Sequence, residues 1–434
     1  MDERRTIVFF PEGAYGPTNN CVGIGDVLRR RGQRVVFIVE ESFAGTLEAK
    51  GFEEQLMRLG PPPAEPEAPG QFWKDFIRDT APEFRKPTID QLGSFLQPTW
   101  QALIDGAKYV EPRLAEIFEE LQPDVIVEDN VVFFPAIAGS GRPWVRIVSC
   151  NPAEIRDRLV PPAYSGYPAS YSTDWVEFEM ERRRTHDPMW RDFDGFVRER
   201  TGAGLPDLEF MPESPYLNLY VYPSKVDYRR SAAPGPTWHR LESCVRATDE
   251  TYELPEPLAS TPGPLIYLSL GSLGSADVEL MQRLIHALGR TDYRVIVSLG
   301  PQHELLRLAD NMTGAEFLPQ PAILPQVDLV VTHGGNNTVT ECFHNGLPMV
   351  VLPLFWDQYD NAQRVAETGF GVRLDTYRFE ERELTEAIDR LLADGELRAR
   401  SAAVSKRLQA KPGTSTAADL IELVARTGAR APAF

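Results

Sequence analysis

The segment His333–Gln358 (HGGNNTVTECFHNGLPMVVLPLFWDQ) decides the fold of the chain. It follows the apolar run Leu329–Thr332, which is typical of a buried strand. The residues from Asn336 to Asn345 then predict a helix, with Gly346 as a C-cap just past its end. The next run, PMVVLPL, predicts a second buried strand. This order of strand, turn, helix and strand predicts a parallel α/β unit.

The start of the predicted helix has the features of an anion-binding site. Backbone N–H groups at a helix N-terminus lack internal partners and point, with the helix dipole, towards a bound anion. Gly334 and Gly335 allow that anion to approach the backbone closely. His333, Asn337 and Glu341 follow at four-residue steps and therefore share one face of the helix entrance. The segment predicts a site for a diphosphate group.

Carboxylate and amide side chains near this site are suitable partners for sugar hydroxyls. Glu341 is placed one turn away from the phosphate end, where it can accept hydrogen bonds from a ribose. Asp357 and Gln358 follow the second strand. They therefore reach the same edge of the sheet, where open α/β sheets bind ligands. Together these residues predict a binding site for a sugar nucleotide.

The segment from His333 to Asn361 resembles the donor-binding signature of the family 1 UDP-glycosyltransferases, the macrolide and flavonoid group with the GT-B fold. The resemblance implies an α/β fold with two doubly wound Rossmann-like domains that face each other across a cleft. It also implies donor-binding roles in three groups: the diphosphate for His333, Gly335, Asn337 and Thr338; the ribose for Glu341; and the hexose for Asp357 and Gln358.

Two further segments resemble donor-binding parts of the same family. Ser269–Ser272 (SLGS) resembles a loop whose serine, here Ser272, touches the phosphates. Glu316–Leu324 (EFLPQPAIL) resembles the segment under the nucleotide base. In that segment the implied donor-binding residues are Phe317, in the aromatic stacking position, Leu318 and Gln320.

The composition restricts the classes of partner. At 434 residues the chain can form two domains of roughly 200 residues each. Its net charge of −18 argues against a nucleic-acid partner, because such binding depends on Lys and Arg. Every apolar run is shorter than the about 20 residues of a membrane span, and the start MDERRTIVFF is unlike a secretory signal.

The four cysteines are widely scattered, without disulfide or metal spacing. We therefore expect reduced thiols, a cytoplasmic protein and no metal site. By resemblance we also expect the UDP-sugar to be the donor substrate, with no cofactor, and the protein to be a monomer or homodimer.

The chain repeats one plan in two halves, each opening with a strand, a loop and a helix. The first half has the strand Thr6–Phe10 and a helix over roughly Asn20–Arg31, and the second opens with Pro264–Ser272. We predict an acceptor-binding domain over residues 1–240, a linker over 241–262 and a donor-binding domain over 263–410. Residues 411–434 predict a helix that, by resemblance, returns to the first domain.

The region Val160–Pro215 has an irregular, aromatic and charged sequence, with a helix predicted around Val176–Arg184. By resemblance such an insertion walls the acceptor pocket. The aromatic residues expected there are Trp73, Trp100, those from Tyr164 to Tyr171, and Trp190. These residues suit a planar or macrocyclic apolar acceptor, although a surface excursion with half-buried aromatic side chains explains any single tyrosine equally well.

The catalytic base of the family is missing. Alignment backwards from Arg31–Val35 places Pro17 where the family has a histidine, and proline accepts no proton. Asp129 aligns with the family's partner carboxylate and could act as the base directly or through a water, if burial beside Glu128 raises its pKa. A structural role for Asp129 is equally compatible with the sequence.

Weaker candidates for the base are Glu12, Tyr15 and His186, for each of which a structural or surface role is the simpler interpretation.

The sequence therefore favours an inverting glycosyltransferase that moves a hexose, most simply glucose, from a UDP-sugar to a small apolar acceptor such as a phenol, polyketide or macrolide. Two alternatives remain open. Pro17 is compatible with a catalytically silent, sugar-nucleotide-binding auxiliary subunit of the same fold. A sugar-nucleotide epimerase is the other, but it would need its own acid and base at the cleft.

Overall fold

A computed structural model describes residues 4–13, 15–61, 79–248 and 250–432 of the chain, and the side chain of Tyr15 is outside this description. Trp73, predicted as a wall of the acceptor pocket, also falls outside the described residues.

Seven strands of the first half form one sheet. They are β1 (Thr6–Pro11), β2 (Arg34–Glu40), β3 (Glu53–Met57), β4 (Val125–Asp129), β5 (Trp144–Val148), β6 (Leu217–Val221) and β7 (Trp238–Leu241). The strand order is β3-β2-β1-β4-β5-β6-β7, and every pairing is parallel. In register, Phe9 pairs with both Phe37 and Val127, which brings the ends of β1 and β4 to the same edge.

The helices of the first half connect these strands. They are α1 (Tyr15–Arg30), α2 (Thr88–Gln91), which continues through a π-helical turn (Leu92–Leu96) into α3 (Gln97–Leu121), α4 (Pro135–Gly139) and α5 (Thr173–Thr201). Because they cover both faces, the strands other than the edge strands β3 and β7 are buried almost throughout, as parallel sheets require.

Six strands of the second half form a second parallel sheet, in the order β10-β9-β8-β11-β12-β13. They are β8 (Leu265–Ser269), β9 (Arg294–Ser298), β10 (Met312–Ala315), β11 (Leu329–Thr332), β12 (Met349–Val351) and β13 (Gly371–Arg373). The helices are α6 (Gly271–Gly274), α7 (Val278–Leu288), α8 (Gln320–Ile323), α9 (Asn336–Asn345), α10 (Gln358–Glu367), α11 (Glu381–Ala393), α12 (Gly395–Ala410) and α13 (Gly413–Thr427). The predicted pair of doubly wound α/β domains is therefore present.

The helix α1 begins at Tyr15, and the prediction of a start near Asn20 was wrong. Pro17 is in the first helical turn. A proline is tolerated there because the N–H it lacks would have no helical partner anyway. The first turn therefore occupies the stretch that had been interpreted as a loop.

The helix α5 is much longer than the predicted Val176–Arg184, since it spans Thr173–Thr201. Its buried side chains, among them Trp175, Phe178, Met189 and Phe193, recur at three- and four-residue steps along one face. Pro188 interrupts this pattern only by removing one backbone donor. The periodicity was missed because charged residues outnumber apolar ones in this stretch.

The last helix, α13, packs on the first domain. Leu420, Ile421 and Val424 are buried in a cluster with residues of β1, β4 and β6. The chain leaves the first domain after Ser243 and returns to it at Gly413. These two points are neighbours, since Gly413 N donates to Ser243 O at 3.1 Å. A side chain at Gly413 would collide with that oxygen.

Among the described residues, no helix is long and apolar enough to cross a membrane. In the same part of the chain, no group of three or more His, Cys, Asp or Glu side chains is arranged to hold a metal ion. The four cysteines are free thiols.

Candidate active site

The turn between β11 and α9 requires glycine. Gly334 has φ +88°, a left-handed conformation, and a Cβ there would lie 2.6 Å from Val351 Cγ1. Gly335 is the N-cap of α9, so the free N–H groups of the helix start face the edge where β11 and β12 end. The free N–H donors of a helix start are therefore present where the sequence predicts an anion-binding site.

The imidazole of His333 is enclosed between two backbone segments. A Cβ at Gly271 would lie 2.8 Å from the ring Nε2, and one at Gly335 would lie 2.6 Å from the same atom. Burial lowers the pKa of His333 to about 4. The ring is therefore neutral at pH 7, so it can act near an anion as a hydrogen-bond donor and not as a cation.

Glu341 is buried on α9, and burial raises its pKa. Its two oxygens accept hydrogen bonds from opposite sides, Oε2 from Gln320 Nε2 at 2.5 Å and Oε1 from Arg246 Nη1 at 3.2 Å. Gln320 also reaches Thr338 Oγ1 at 3.4 Å. The structure thus brings three predicted donor-binding residues together and adds Arg246, which the sequence analysis missed.

Asp357 and Gln358 are both buried at the start of α10. Asp357 Oδ2 accepts from Asn151 N at 2.8 Å and from Asn361 Nδ2 at 3.1 Å. Gln358 Oε1 accepts from Leu354 N at 3.0 Å, which orients the amide and leaves its Nε2 to donate elsewhere. Burial raises the pKa of Asp357 to about 8.

The other predicted donor residues surround the same sheet edge. Ser272 is half-buried in the short helix α6 that follows β8, and Thr338 is buried in the first turn of α9. Leu318 is half-buried, with its carbonyl oxygen accepting from Gln320 N at 2.8 Å. Phe317 stands out because its side chain is 61% exposed. An exposed phenylalanine beside this site is available for stacking.

A hydrogen-bonded chain links the donor helix to the first domain. Asn337 donates through Nδ2 to Gly16 O at 2.7 Å, and its Oδ1 accepts from Asn20 Nδ2 at 2.7 Å. Asn20 Nδ2 also donates to Ser149 Oγ at 2.8 Å, and Ser149 donates in turn to Asp129. Asn337, which is predicted to hold the diphosphate, and Asp129, the predicted base, therefore belong to one hydrogen-bond network across the cleft.

Carboxyl groups with raised pKa values gather where β1, β4 and β5 end. Burial raises the pKa of Asp129 to about 8. The hydrogen bond from Ser149 lowers this pKa, and the charge of Glu12 raises it further. Burial, followed by the charge of Glu154, raises the pKa of Glu12 to about 7. Glu154 itself has a raised pKa because of burial. Such a cluster holds protons near neutral pH and can exchange them.

Comparison with known proteins agrees with this geometry. The sequence profile of the erythromycin biosynthesis protein CIII-like C-terminal domain matches residues 282–423. The chain is 25% identical to the 4'-demethylrebeccamycin synthase of Lentzea aerocolonigenes, over 94% of this chain and 96% of that protein. It is 26% identical to the oleandomycin glycosyltransferase of Streptomyces antibioticus, over 96% and 90% of the two chains. The solved structure of the kitacinnamycin glycotransferase superposes with a TM-score of 0.70 at 22% identity, covering 97% of this chain and 99% of that one.

The chain is a glycosyltransferase with the GT-B fold. Its two Rossmann-like domains are the two halves of that fold, and α9 is in the donor half.

Several polar residues of this glycosyltransferase were missed by the sequence analysis. Ser149 and Asn151 follow β5, at the same sheet edge as Asp129. The rule that selected Asp357, a polar residue that follows a parallel strand, would have selected these two as well. Arg246 belongs to the predicted linker and carries no motif that would have revealed it.

The first domain of the glycosyltransferase contains a cavity of about 680 Å³. Its lining includes Trp100 and Tyr164, two of the predicted aromatic wall residues, and also His186. Burial lowers the pKa of His186 to about 4, so this imidazole is a poor base at neutral pH. Trp190 is absent from the described lining, and its Nε1 donates to Pro206 O and Glu209 O.

The cavity and the donor-binding residues meet at Trp356. This residue has φ +56°, and its ring packs on Trp100 at 5.3 Å and on Tyr164 at 4.9 Å between centroids. Because Asp357 is the next residue, the cavity wall is directly joined to the predicted hexose site.

Proposed function

We propose that this glycosyltransferase transfers glucose from UDP-glucose to a small acceptor with a largely apolar body, with inversion at the anomeric carbon. The observation that carries the proposal is the convergence of the α9 start, Glu341 and Asp357 opposite the carboxyl cluster of the first domain. A sugar held by the donor half would present its anomeric carbon to that cluster. The oleandomycin and rebeccamycin relatives support a natural-product acceptor.

In the proposed reaction an acceptor oxygen attacks the anomeric carbon from the face opposite the diphosphate. The new carbon–oxygen bond forms as the bond to the β-phosphate oxygen breaks, and the electron pair leaves with UDP. The α9 N–H groups, neutral His333, Ser272 and Thr338 would stabilise the charge that builds on the leaving group. The cleft supplies proximity by holding both substrates.

The acceptor proton would pass to the carboxyl pair formed by Asp129 and Glu12. Pro17 accepts no proton, and His186 is neutral with a low pKa. The pKa values of about 8 for Asp129 and about 7 for Glu12 lie close to the working pH, as general-base catalysis favours. Since the charge of Glu12 contributes to the raised pKa of Asp129, the ionisation of Asp129 should depend on that of Glu12. The activity should accordingly rise as pH increases through this range.

The choice of donor rests on the family resemblance. Gln358 is the residue that the family pairs with glucose, and UDP follows from the same resemblance. The scheme needs no metal and no cofactor.

A transfer assay tests the proposal. UDP-glucose and dTDP-glucose are each incubated with a panel of phenols and macrolides, and the linkage is read from the anomeric proton coupling of the product. We expect β-glucosides with UDP-glucose. Binding of UDP without turnover of any acceptor would instead establish a silent auxiliary subunit, while an α-linked product would exclude inversion.

The base is tested by Asp129→Asn and Glu12→Gln. Loss of the base should lower kcat by roughly 10²- to 10⁴-fold. The matched control is Asp105→Asn, which changes an exposed carboxylate on α3 and should leave kcat unchanged. Full activity of both single variants and of the double variant would exclude this pair as the proton acceptor.

A further inference from the structure

A buried arginine faces the cavity of the first domain without a hydrogen-bond or ion-pair partner among the described residues. Arg146 is on β5, is only 7% exposed, and lines the cavity. Its Nε is buried and has no hydrogen-bond partner. Among the described residues, its guanidinium forms no hydrogen bond and no ion pair; its one described cation–π contact is with Trp238, at 5.6 Å. A buried charge without a hydrogen-bonded partner is unfavourable for folding alone.

Three carboxyl groups near Arg146 attract its charge through space but form no hydrogen bond with it. Glu128 is its neighbour in register on β4, but both of its oxygens are buried without a hydrogen-bond partner. Glu154 accepts a hydrogen bond from Tyr164 at 2.8 Å. Burial raises the pKa of Glu128, Glu154 and Glu209 by more than the charge of Arg146 lowers it, which favours their neutral forms.

Further arginines increase the positive potential of the same wall. Arg156 and Arg182 share one carboxylate, that of Glu179, at 3.2 and 2.8 Å. Arg158 is exposed at the lining. The described lining has five arginines and four acidic residues, Glu154, Asp157, Glu179 and Glu209, whereas the chain as a whole carries a net charge of −18. A guanidinium fork matches a carboxylate with two parallel hydrogen bonds.

We propose that the cavity binds an acceptor whose apolar body carries a carboxylate, and that Arg146 binds this carboxylate. The inference rests on the proposed function, because it takes the cavity as the acceptor site. The aromatic residues Trp100 and Tyr164 contact the body, and their packing on Trp356 directs its far end towards the donor-binding residues. Arg146 thereby selects an acidic acceptor over a neutral one of the same shape.

Binding is measured by isothermal titration calorimetry without any donor. The probes are 4-hydroxybenzoate, 4-hydroxycinnamate and 4′-hydroxybiphenyl-4-carboxylate, each paired with its methyl ester. In the wild type we expect at least one acid to bind tenfold or more tightly than its ester. In Arg146→Met the preference should disappear, because the acid loses affinity and the ester does not.

Two variants separate recognition from folding. Arg191→Met changes an arginine that is 71% exposed on the outer side of α5 and should keep the preference for the acid. Arg146→Met should have a thermal midpoint equal to or above that of the wild type, since it removes a buried unpaired charge. If Arg146 were instead part of the structural framework, its midpoint would fall.

Equal affinity of acid and ester throughout the series, or a preference that persists in Arg146→Met, would overturn the inference. These outcomes are independent of transfer. An enzyme that glucosylates neutral acceptors without preferring acids would retain the proposed function and lose only this inference. A protein that prefers acids but transfers no sugar would retain the carboxylate site at Arg146 and lose the proposed function.

Discussion

The proton held by Asp129 should be visible in the pH dependence of folding stability. The folded pKa of about 8 is above the ordinary value of 3.8. Between these two values the folded protein keeps a proton that the unfolded chain has released. Stability is therefore lost as pH rises towards the folded pKa. Asp129→Asn removes this proton but preserves an oxygen that can accept the hydrogen bond of Ser149.

The size of the effect follows from one proton. A single retained proton costs about 1.4 kcal/mol of stability per pH unit, so between pH 6 and pH 8 the wild type should lose about 2 kcal/mol more than Asp129→Asn. Glu12, Asp357 and Asp360 also have raised pKa values, so both proteins should lose stability over this range. Only the difference in stability loss between the wild type and Asp129→Asn measures the contribution of Asp129.

The assay is urea unfolding of both proteins at pH 6, 7 and 8, followed by tryptophan fluorescence. Asp105→Asn serves as the control, because this exposed carboxylate should not alter the pH dependence. Parallel stability curves for the wild type and Asp129→Asn would mean that Asp129 is already ionised at pH 6. That result would refute its assignment as a base with a raised pKa.

Three further changes test the donor site. Phe317→Ala removes a side chain that is 61% exposed, so we expect thermal stability to change by less than about 0.5 kcal/mol, while UDP binding measured by calorimetry weakens by about 1–3 kcal/mol from lost base stacking. Gly271→Ala places a Cβ 2.8 Å from the His333 ring at a position with φ +71°, so it should lower the free energy of unfolding by about 1–3 kcal/mol and raise the KM for the donor. An unchanged KM would show that His333 does not bind the donor. Asn337→Ala removes the hydrogen bond to Gly16 O and should raise the donor KM with a smaller change in the acceptor KM, as measured by steady-state kinetics with each substrate varied.

The donor half could be predicted closely because its determinants are local. The bounds of α9 and β11 agree with the predicted Asn336–Asn345 and Leu329–Thr332. Helix periodicity, the C-cap at Gly346 and the rule for the ends of parallel strands all act within one short segment. These constraints need no information about the partner domain.

The contacts across the cleft could not be predicted in the same way. Asn20, Ser149 and Arg246 take their roles from partners that are far away in the sequence. Likewise, the pKa of Asp129 depends on burial and on Glu12, which only the assembled fold defines. Local patterns identify which groups are available, and tertiary packing determines their protonation.

The adjacency of Ser243 and Gly413 has a consequence for the architecture as a whole. Since Gly413 N bonds to Ser243 O, the chain leaves the first domain and returns to it at one point, and Arg407 bonds to Glu242 beside that point at 2.7 Å. In topology the donor domain is therefore a cassette inserted into the acceptor domain. The two chain junctions of the donor domain are therefore neighbours in space, and we expect that a donor domain with another nucleotide preference can be grafted at this one place.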